Sequence, residues 1–167
     1  QQIANNYKAG LGLAYLENYL GADALERCIR NFYQRQQGKP IDSKNFKQEL
    51  EKYTDKDVDW FFDTYIGTKN KIDFKITQAK KQGDSIGLKI KNKQATDVPI
   101  SLFGLQKDSV VSQYWFTGID SIQTFKIANN GEERLVLNYD QKIPEFNQRD
   151  NWKSLNGWLS SNKKFKF

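Results

Sequence analysis

The spacing of hydrophobic residues changes once along this chain, near residues 67–70, and this change constrains the fold more than any other feature. Before it, apolar side chains recur every three or four residues, as on one face of a helix. After it they alternate, as on one face of a strand. The segment DVDWFFDTYIG closes the helical part. The sequence therefore predicts an α+β protein in which a layer of about four short helices precedes an immunoglobulin-like antiparallel β-sandwich.

The same change of period predicts the domain boundaries. We expect a helical segment at residues 1–67, a β-sandwich domain at residues 71–152 and a C-terminal tail at residues 153–167. The 167 residues include no methionine, so we expect this chain to be a piece of a longer polypeptide.

Four helices are predicted at residues 7–20, 23–36, 43–53 and 56–66. Gly21 ends the first, the Gly38-Lys39-Pro40 run ends the second, and Asp42 or Ser43 caps the third. The residues expected on the buried faces are, in order, Leu11, Leu13, Leu16 and Leu20, with Ala9, Ala14 and Tyr15 widening the stripe; Leu25, Ile29, Phe32 and Tyr33; Phe46, Leu50 and Tyr53; and Val58, Phe61, Phe62 and Tyr65, with Trp60 on the flank of the last helix.

The strand-rich part begins with a predicted hairpin whose turn is Gln82-Gly83-Asp84. Its apolar residues alternate with lysines, which we interpret as a wet face that protects the sheet edge and keeps the protein soluble. Further strands are predicted at residues 98–103, 110–116, 121–127 and 134–138, with Pro99 at the start of its strand or on an edge. Asn129-Asn130-Gly131 predicts a hairpin turn between the last two strands.

Beyond Tyr139 the chain is polar and irregular. We expect four apolar residues to fasten this segment to the sandwich: Ile143, Phe146, Trp152 and Trp158. A second interpretation places an aromatic and basic patch for sugars or anions at the end of the chain, formed by Trp152, Trp158, Phe165 and Phe167 with Lys163, Lys164 and Lys166.

Composition narrows the function classes. The formal net charge is +6, but the lysines are scattered among acidic residues, so we expect no nucleic-acid binding. No apolar run approaches the ~20 residues that a membrane-spanning helix needs.

Two candidate reactive or metal sites are weak. Cys28 is the one cysteine and lies among apolar residues of a helix, which indicates a buried structural thiol. A cysteine nucleophile needs a nearby base, and the chain contains no histidine.

Asp55, Asp57 and Asp59 have the spacing of a calcium loop, but Trp60 and Ile66 replace the glycine and glutamate of that loop. We interpret these acids as residues that favour a helix N-terminus.

Three segments, in the right order, resemble the zinc aminopeptidases of the membrane alanyl aminopeptidase (gluzincin) family. NNYKAGLGLAYLENYLG resembles the helix of that family that begins Tyr-x-Lys-Gly. SKNFKQELEKYTDKDVDWFFDTYIG is similar to the next family signature, which pairs Leu-Glu with a later Phe-Phe. LVLNYDQKIPEFNQRDNW is similar to the close of the β-domain of bacterial members.

The resemblance implies a mechanism in which two histidines and a glutamate hold zinc and a second glutamate is the general base. A tyrosine of Tyr-x-Lys-Gly stabilises the oxyanion. When Lys8 is aligned with the family lysine, Asn6 stands at the tyrosine position and Tyr7 stands one residue later. Either Asn6 donates a weaker hydrogen bond, or Tyr7 serves with a shifted helix start, or the parent has lost activity. We therefore assign no catalytic, cofactor-binding or metal-binding residue in this chain.

The resulting expectation is the C-terminal part of a zinc aminopeptidase-like protein, with zinc and the peptide substrate bound by upstream domains and with the chain inactive alone. The alternative is a non-catalytic protein- or glycan-binding module of a pseudo-peptidase. The resemblance to bacterial members suggests the cell envelope or periplasm as the location. The oligomeric state is left open.

Overall fold

The computed structural model describes residues 2–38, 40 and 42–155, and their side chains from residue 9 onward. Four helices come first. They are α1 (Gln2–Leu20), α2 (Ala22–Arg35), α3 (Ser43–Leu50) and a π-helix (Trp60–Ile66). Seven strands follow. They are β1 (Phe74–Gln82), β2 (Ser85–Asn92), β3 (Ile100–Gln106), β4 (Ser109–Phe116), β5 (Ile122–Ala128), β6 (Arg134–Leu137) and β7 (Trp152–Ser154). The predicted α+β class and order of elements are confirmed.

The first two helices bury only part of the predicted faces, and in α1 Leu16 and Leu20 are buried as expected. In α1 the buried residues are Gly12, Tyr15, Leu16, Tyr19 and Leu20, which follow the three- and four-residue spacing of a helix face. Leu13, which was expected to be buried, is exposed because that face points away from the sandwich.

In α2 the prediction is half correct. Leu25 and Phe32 are buried together with Cys28, whereas Ile29 and Tyr33 are exposed. Ile29 and Tyr33 are four residues apart on one side of the helix. Ile29 lines an open groove between the helices and is 43% exposed, and Tyr33 is 68% exposed.

The third helix begins as predicted. The Asp42 side chain accepts a hydrogen bond from the Asn45 backbone N–H at 2.7 Å, which satisfies one unpaired donor of the first turn. Leu50 is fully buried, and Phe46 and Tyr53 are partly buried.

The fourth predicted helix, residues 56–66, starts later and has a wider turn. It is a π-helix that begins at Trp60. In a π-helix, residues five apart lie on the same face, so Trp60 and Tyr65 are buried together. Trp60 was expected on the flank because α-helical spacing was assumed.

The strands form two antiparallel sheets with the orders β1-β2-β5 and β4-β3-β6-β7. Hairpins join β1 to β2 and β3 to β4, while the connections β2–β3, β4–β5 and β5–β6 cross between the sheets. This is a sandwich-like arrangement of the immunoglobulin-like type. Pro99 precedes β3, and Gly83 has the positive φ that the predicted β1–β2 turn requires.

The predicted hairpin at Asn129-Asn130-Gly131 is wrong as a pairing, although a turn is present. Gly131 has a φ of 87°, as such a turn needs. However, β5 pairs with β2 and β6 pairs with β3, so the two strands lie in different sheets. The turn sequence predicted the change of direction correctly, but it does not determine which strand each arm pairs with.

The irregular segment after β6 is held by backbone and amide groups more than by the predicted aromatic residues. Ile143 is buried as expected, and both its N–H and its C=O bond to the Asn138 side chain. Phe146 is 65% exposed, so its predicted role is wrong. Trp152 is partly exposed on β7. Trp158 and most of the predicted terminal patch lie outside the described residues.

A single cluster of buried side chains runs from the helices into the sandwich. Tyr15 connects them, because its ring contacts Trp60 of the π-helix and Trp115 of β4. The division into two domains stays a prediction. No helix in the described part of the chain is both long and apolar enough to cross a membrane.

We expect Tyr15→Ala to lower the free energy of unfolding by about 3–5 kcal/mol, because it empties a fully buried ring site between two layers. Tyr15→Phe keeps the ring but leaves the Pro99 carbonyl without its donor, and should cost about 1–3 kcal/mol. Denaturant titration measures both. Leu13→Ala, on the exposed side of the same helix, is the control, and an equal loss there would contradict the role of Tyr15.

Candidate binding site at the helix–sandwich junction

The junction is built around the fully buried Tyr15. Its hydroxyl donates to the Pro99 backbone oxygen, just before β3. Its ring centroid lies 4.6 Å from that of Trp60 and 5.9 Å from that of Tyr65. Burial, with the negative charge of Glu145, raises the pKa of Tyr15 well above its usual value. The phenol therefore stays protonated and acts as a structural donor.

Beside this aromatic cluster lies a cavity of about 260 Å³, which we call the junction cavity. Its lining comes from α1, the π-helix, the linker before β1, the connection between β2 and β3 and the segment after β6. The lining residues are Leu11, Thr64, Tyr65, Asn70, Lys71, Ile72, Thr96, Pro144 and Phe146. Most of the exposed lining is apolar, which suits a hydrocarbon group better than a charged one.

One cation lies beside this cavity. The Lys71 ammonium is 3.9 Å from the centroid of the Phe146 ring, within cation–π range. The backbone holds both residues in place, because Thr96 Oγ1 donates to the Lys71 carbonyl at 2.7 Å and the Phe146 N–H donates to the Ile72 carbonyl at 2.7 Å. The cavity could therefore hold an apolar group with a negative charge near its rim.

A largely buried carboxylate lies directly behind the cavity wall. Glu145 accepts hydrogen bonds from the Phe74 N–H at 3.0 Å and from Asn151 Nδ2 at 2.6 Å. Burial is the largest influence on Glu145 and raises its pKa to about 7, against the opposing effect of these donors and of the Asn138 amide. Asp73 adds a further small increase by charge repulsion.

The neighbouring buried acid is neutralised. Asp73 is 3.0 Å from the Lys93 ammonium, which also contacts Asp150 at 3.2 Å. Hydrogen bonds to Asp73 and Asp150 hold the pKa of Lys93 above its usual value, so the ammonium stays charged. Glu145 and this ion-paired group join the start of β1 to the segment after β6.

The residues considered reactive from the sequence do not meet at this cavity. Cys28 is buried in the helical layer, where burial and Glu49 raise its pKa to about 11, so the thiol is a poor nucleophile as expected. Asp57 accepts from the Asp59 N–H, and Asp59 pairs with Lys47 at 2.6 Å. These acids precede the π-helix and do not lie in its first turn, which corrects the predicted placement.

The side chains of Asn6 and Tyr7 lie outside the described part of α1. Leu11, one turn later on the same helix, lines the junction cavity. Within the described ranges, no group of three or more histidine, cysteine, aspartate or glutamate side chains is arranged to hold a metal ion.

Sequence reasoning missed Glu145 and Lys71. Glu145 lies within the segment LVLNYDQKIPEFNQRDNW, where the family resemblance was the signal available. Lys71 directly follows the change of hydrophobic period, and nothing in its local pattern distinguishes it from the other lysines.

No protein-family model and no curated protein matches the chain. Among solved structures, it is similar to the crystal structure of Legionella pneumophila aminopeptidase A in complex with aspartic acid, with a TM-score of 0.66 and 14% identity. The fold is aminopeptidase-like. The likeness covers 83% of this chain but only 17% of the aminopeptidase, so most of that longer chain has no counterpart here. At this identity the likeness establishes the fold alone.

The Glu145 carboxyl predicts a measurable pH dependence of stability. Its folded pKa, about 7, lies above the usual 4.5, so between these values the folded state binds more protons than the unfolded state. Stability from this group is therefore greatest below the lower pKa and falls as pH rises, by on the order of 3 kcal/mol in all.

Glu145→Gln should remove this slope, because the amide does not titrate. Its carbonyl can still accept from Phe74. Its NH₂ then faces Asn151 Nδ2, so the Asn151 amide must turn over to present Oδ1, which has no partner among the described residues. Urea unfolding between about pH 5 and pH 8 compares the two proteins over the window in which Glu145 titrates. Glu51→Gln, at an exposed position, is the matched control and should leave the slope unchanged. An unchanged slope in Glu145→Gln would contradict the assignment.

Proposed function

We propose that this chain is the C-terminal helical and β-sandwich part of a bacterial-type zinc aminopeptidase of the membrane alanyl aminopeptidase family. Two observations support the proposal. The structural likeness to an aminopeptidase covers 83% of this chain. Independently, the sequence carries the ordered series of family-like segments described above. The first of these observations carries the most weight.

Under this proposal, the zinc ion is bound by an upstream part of the parent protein. The chain has no histidine, and its described residues offer no set of ligands for a metal ion. The residues present therefore do not fit zinc, and no catalytic step is assigned to the metal here. We propose that the contribution of this chain is structural, with α1 carrying Asn6 or Tyr7 towards the substrate.

The helical layer has a surface suited to contact with the rest of such a parent. A shallow apolar groove of about 430 Å³ lies between α1, α2 and α3. Leu13, Ile29, Phe32 and Phe46 line it, and the first two of these are exposed. Exposed apolar side chains grouped in this way are typical of an interface. The sandwich, joined to the other side through Tyr15, would then brace the helices that form a wall of the cleft.

The direct test is hydrolysis of a panel of aminoacyl fluorogenic substrates by the full-length parent. We expect activity that is abolished by a chelator and restored by zinc, because metal-assisted hydrolysis requires the bound ion. Inactivity of a folded, zinc-loaded parent would contradict the proposal. It would favour the alternative of a pseudo-peptidase whose helices and sandwich bind a protein or glycan.

In an active parent, substitution at the start of α1 identifies the oxyanion donor. If Tyr7 is the donor, Tyr7→Phe should lower kcat by ~10²–10³ with little change in KM, because the hydroxyl acts mainly in the transition state. If Asn6 is the donor, Asn6→Ala should show that loss instead. Each variant is the matched control for the other. Full activity in both variants would exclude this helix start as the source of the donor.

A further inference from the structure

The three strands of the β1-β2-β5 sheet carry positively charged side chains and no negatively charged ones. Their 24 residues contain six lysines and no aspartate or glutamate. The lysines are Lys75, Lys80, Lys81, Lys89, Lys91 and Lys126. The even mixture of charges elsewhere in the chain is absent from this sheet.

Strand register places five of these lysines on one face. Because Ile86, Leu88 and Ile90 of β2 point into the core, the residues that alternate with them point outward. Lys91 lies directly opposite Lys75 of β1, so two like charges are neighbours across the strands.

The rest of the face follows from the same register. Lys89 occupies the next outward row. Gly87, on the row after that, has Lys80 on one side and Lys126 on the other. We call the outward side chains Lys75, Lys80, Lys89, Lys91 and Lys126 the lysine face.

The lysine face keeps its charge uncompensated. None of its five ammonium groups forms an ion pair with any residue that the structure describes. In contrast, Lys93, just beyond the end of β2, is neutralised by Asp73 and Asp150. Like charges directly opposite each other destabilise a sheet, so this arrangement carries a cost in the folded protein.

Protection of a sheet edge does not explain the whole face. In the order β1-β2-β5, β2 is the central strand and its backbone is paired on both sides. Lys89 and Lys91 therefore lie where no edge needs to be shielded. Solubility would be served equally well by a mixture of acidic and basic residues.

We propose that the lysine face binds the surface of an anionic lipid bilayer. The face is the open side of a sheet, with no cleft, and it matches an extended layer of negative headgroups by charge. Juxtaposed lysines are attracted to such surfaces within about a Debye length. Ile122, which pairs with Lys91, is 55% exposed on the same side and adds an apolar contact.

The chemistry of the face favours lipid over nucleic acid. Single-stranded nucleic acids are held by aromatic rings on which bases stack, and the face offers none. Phe74 and Phe125 belong to these strands but point to the interior. Phe125 pairs with Leu88 of the inward row of β2, and Phe74 pairs with Asn92 at the end of β2. The three strands also contain no arginine for bidentate phosphate contacts.

The test is co-sedimentation of the full-length protein with vesicles of phosphatidylcholine alone or with roughly one-third phosphatidylserine. We expect binding to the anionic vesicles only, with release as salt rises from about 50 to about 300 mM, because screening shortens the range of the attraction. The face variant combines Lys75→Gln, Lys89→Gln, Lys91→Gln and Lys126→Gln. It should bind the anionic vesicles at least about a hundredfold more weakly. It removes four of the five charges, and each lysine near the surface adds a similar share of the binding free energy.

A matched control variant removes four exposed lysines away from the face: Lys44→Gln, Lys69→Gln, Lys142→Gln and Lys153→Gln. It lowers the net charge equally and should retain vesicle binding. Far-UV circular dichroism and thermal unfolding establish that both variants fold. Three results would each overturn the proposal: no binding to anionic vesicles, equal losses in both variants, or tighter salt-sensitive binding to a DNA duplex than to the vesicles.

Discussion

The buried ring of Tyr15 is the contact on which the rest of the architecture depends. It packs between Trp60 of the π-helix and Trp115 of β4, and its hydroxyl ties α1 to the carbonyl that precedes β3. The helices share one buried cluster with the strands, and most of the stability of helices in proteins comes from packing of this kind. Through Tyr15 their core and the core of the sandwich become one, and the junction cavity takes its position from this contact.

The helices show what periodicity can and cannot predict. Helical spacing identified their order and approximate bounds, and the Asp42 cap was correct because capping is a local interaction. The spacing did not predict which face of each helix is buried. Leu13 and Ile29 fit a helical stripe as well as Tyr15 and Cys28 do, and the choice between the faces depends on what packs against each one. That neighbour is distant in sequence, so the pattern within one helix does not reveal it.

In the sandwich, too, local features were predictable from the sequence and distant contacts were not. Alternation predicted the strands, and Gly83 and Gly131 both occupy turns of positive φ. The partners of β5 and β6 were mispredicted because a turn sequence predicts a change of direction but not the sheet that the next strand joins. The junction site was hidden for a related reason. Glu145 acquires its raised pKa from burial among groups supplied by separate segments.

The position of the tryptophans around Tyr15 has a practical consequence. Trp60 and Trp115, two of the four tryptophans in the chain, flank the surface where the helices meet the sandwich. Separation of the two layers would bring water to both indoles even if each layer kept its secondary structure. Intrinsic fluorescence therefore reports docking, and circular dichroism reports folding. The same molecule carries separate optical signals for its assembly and for its backbone.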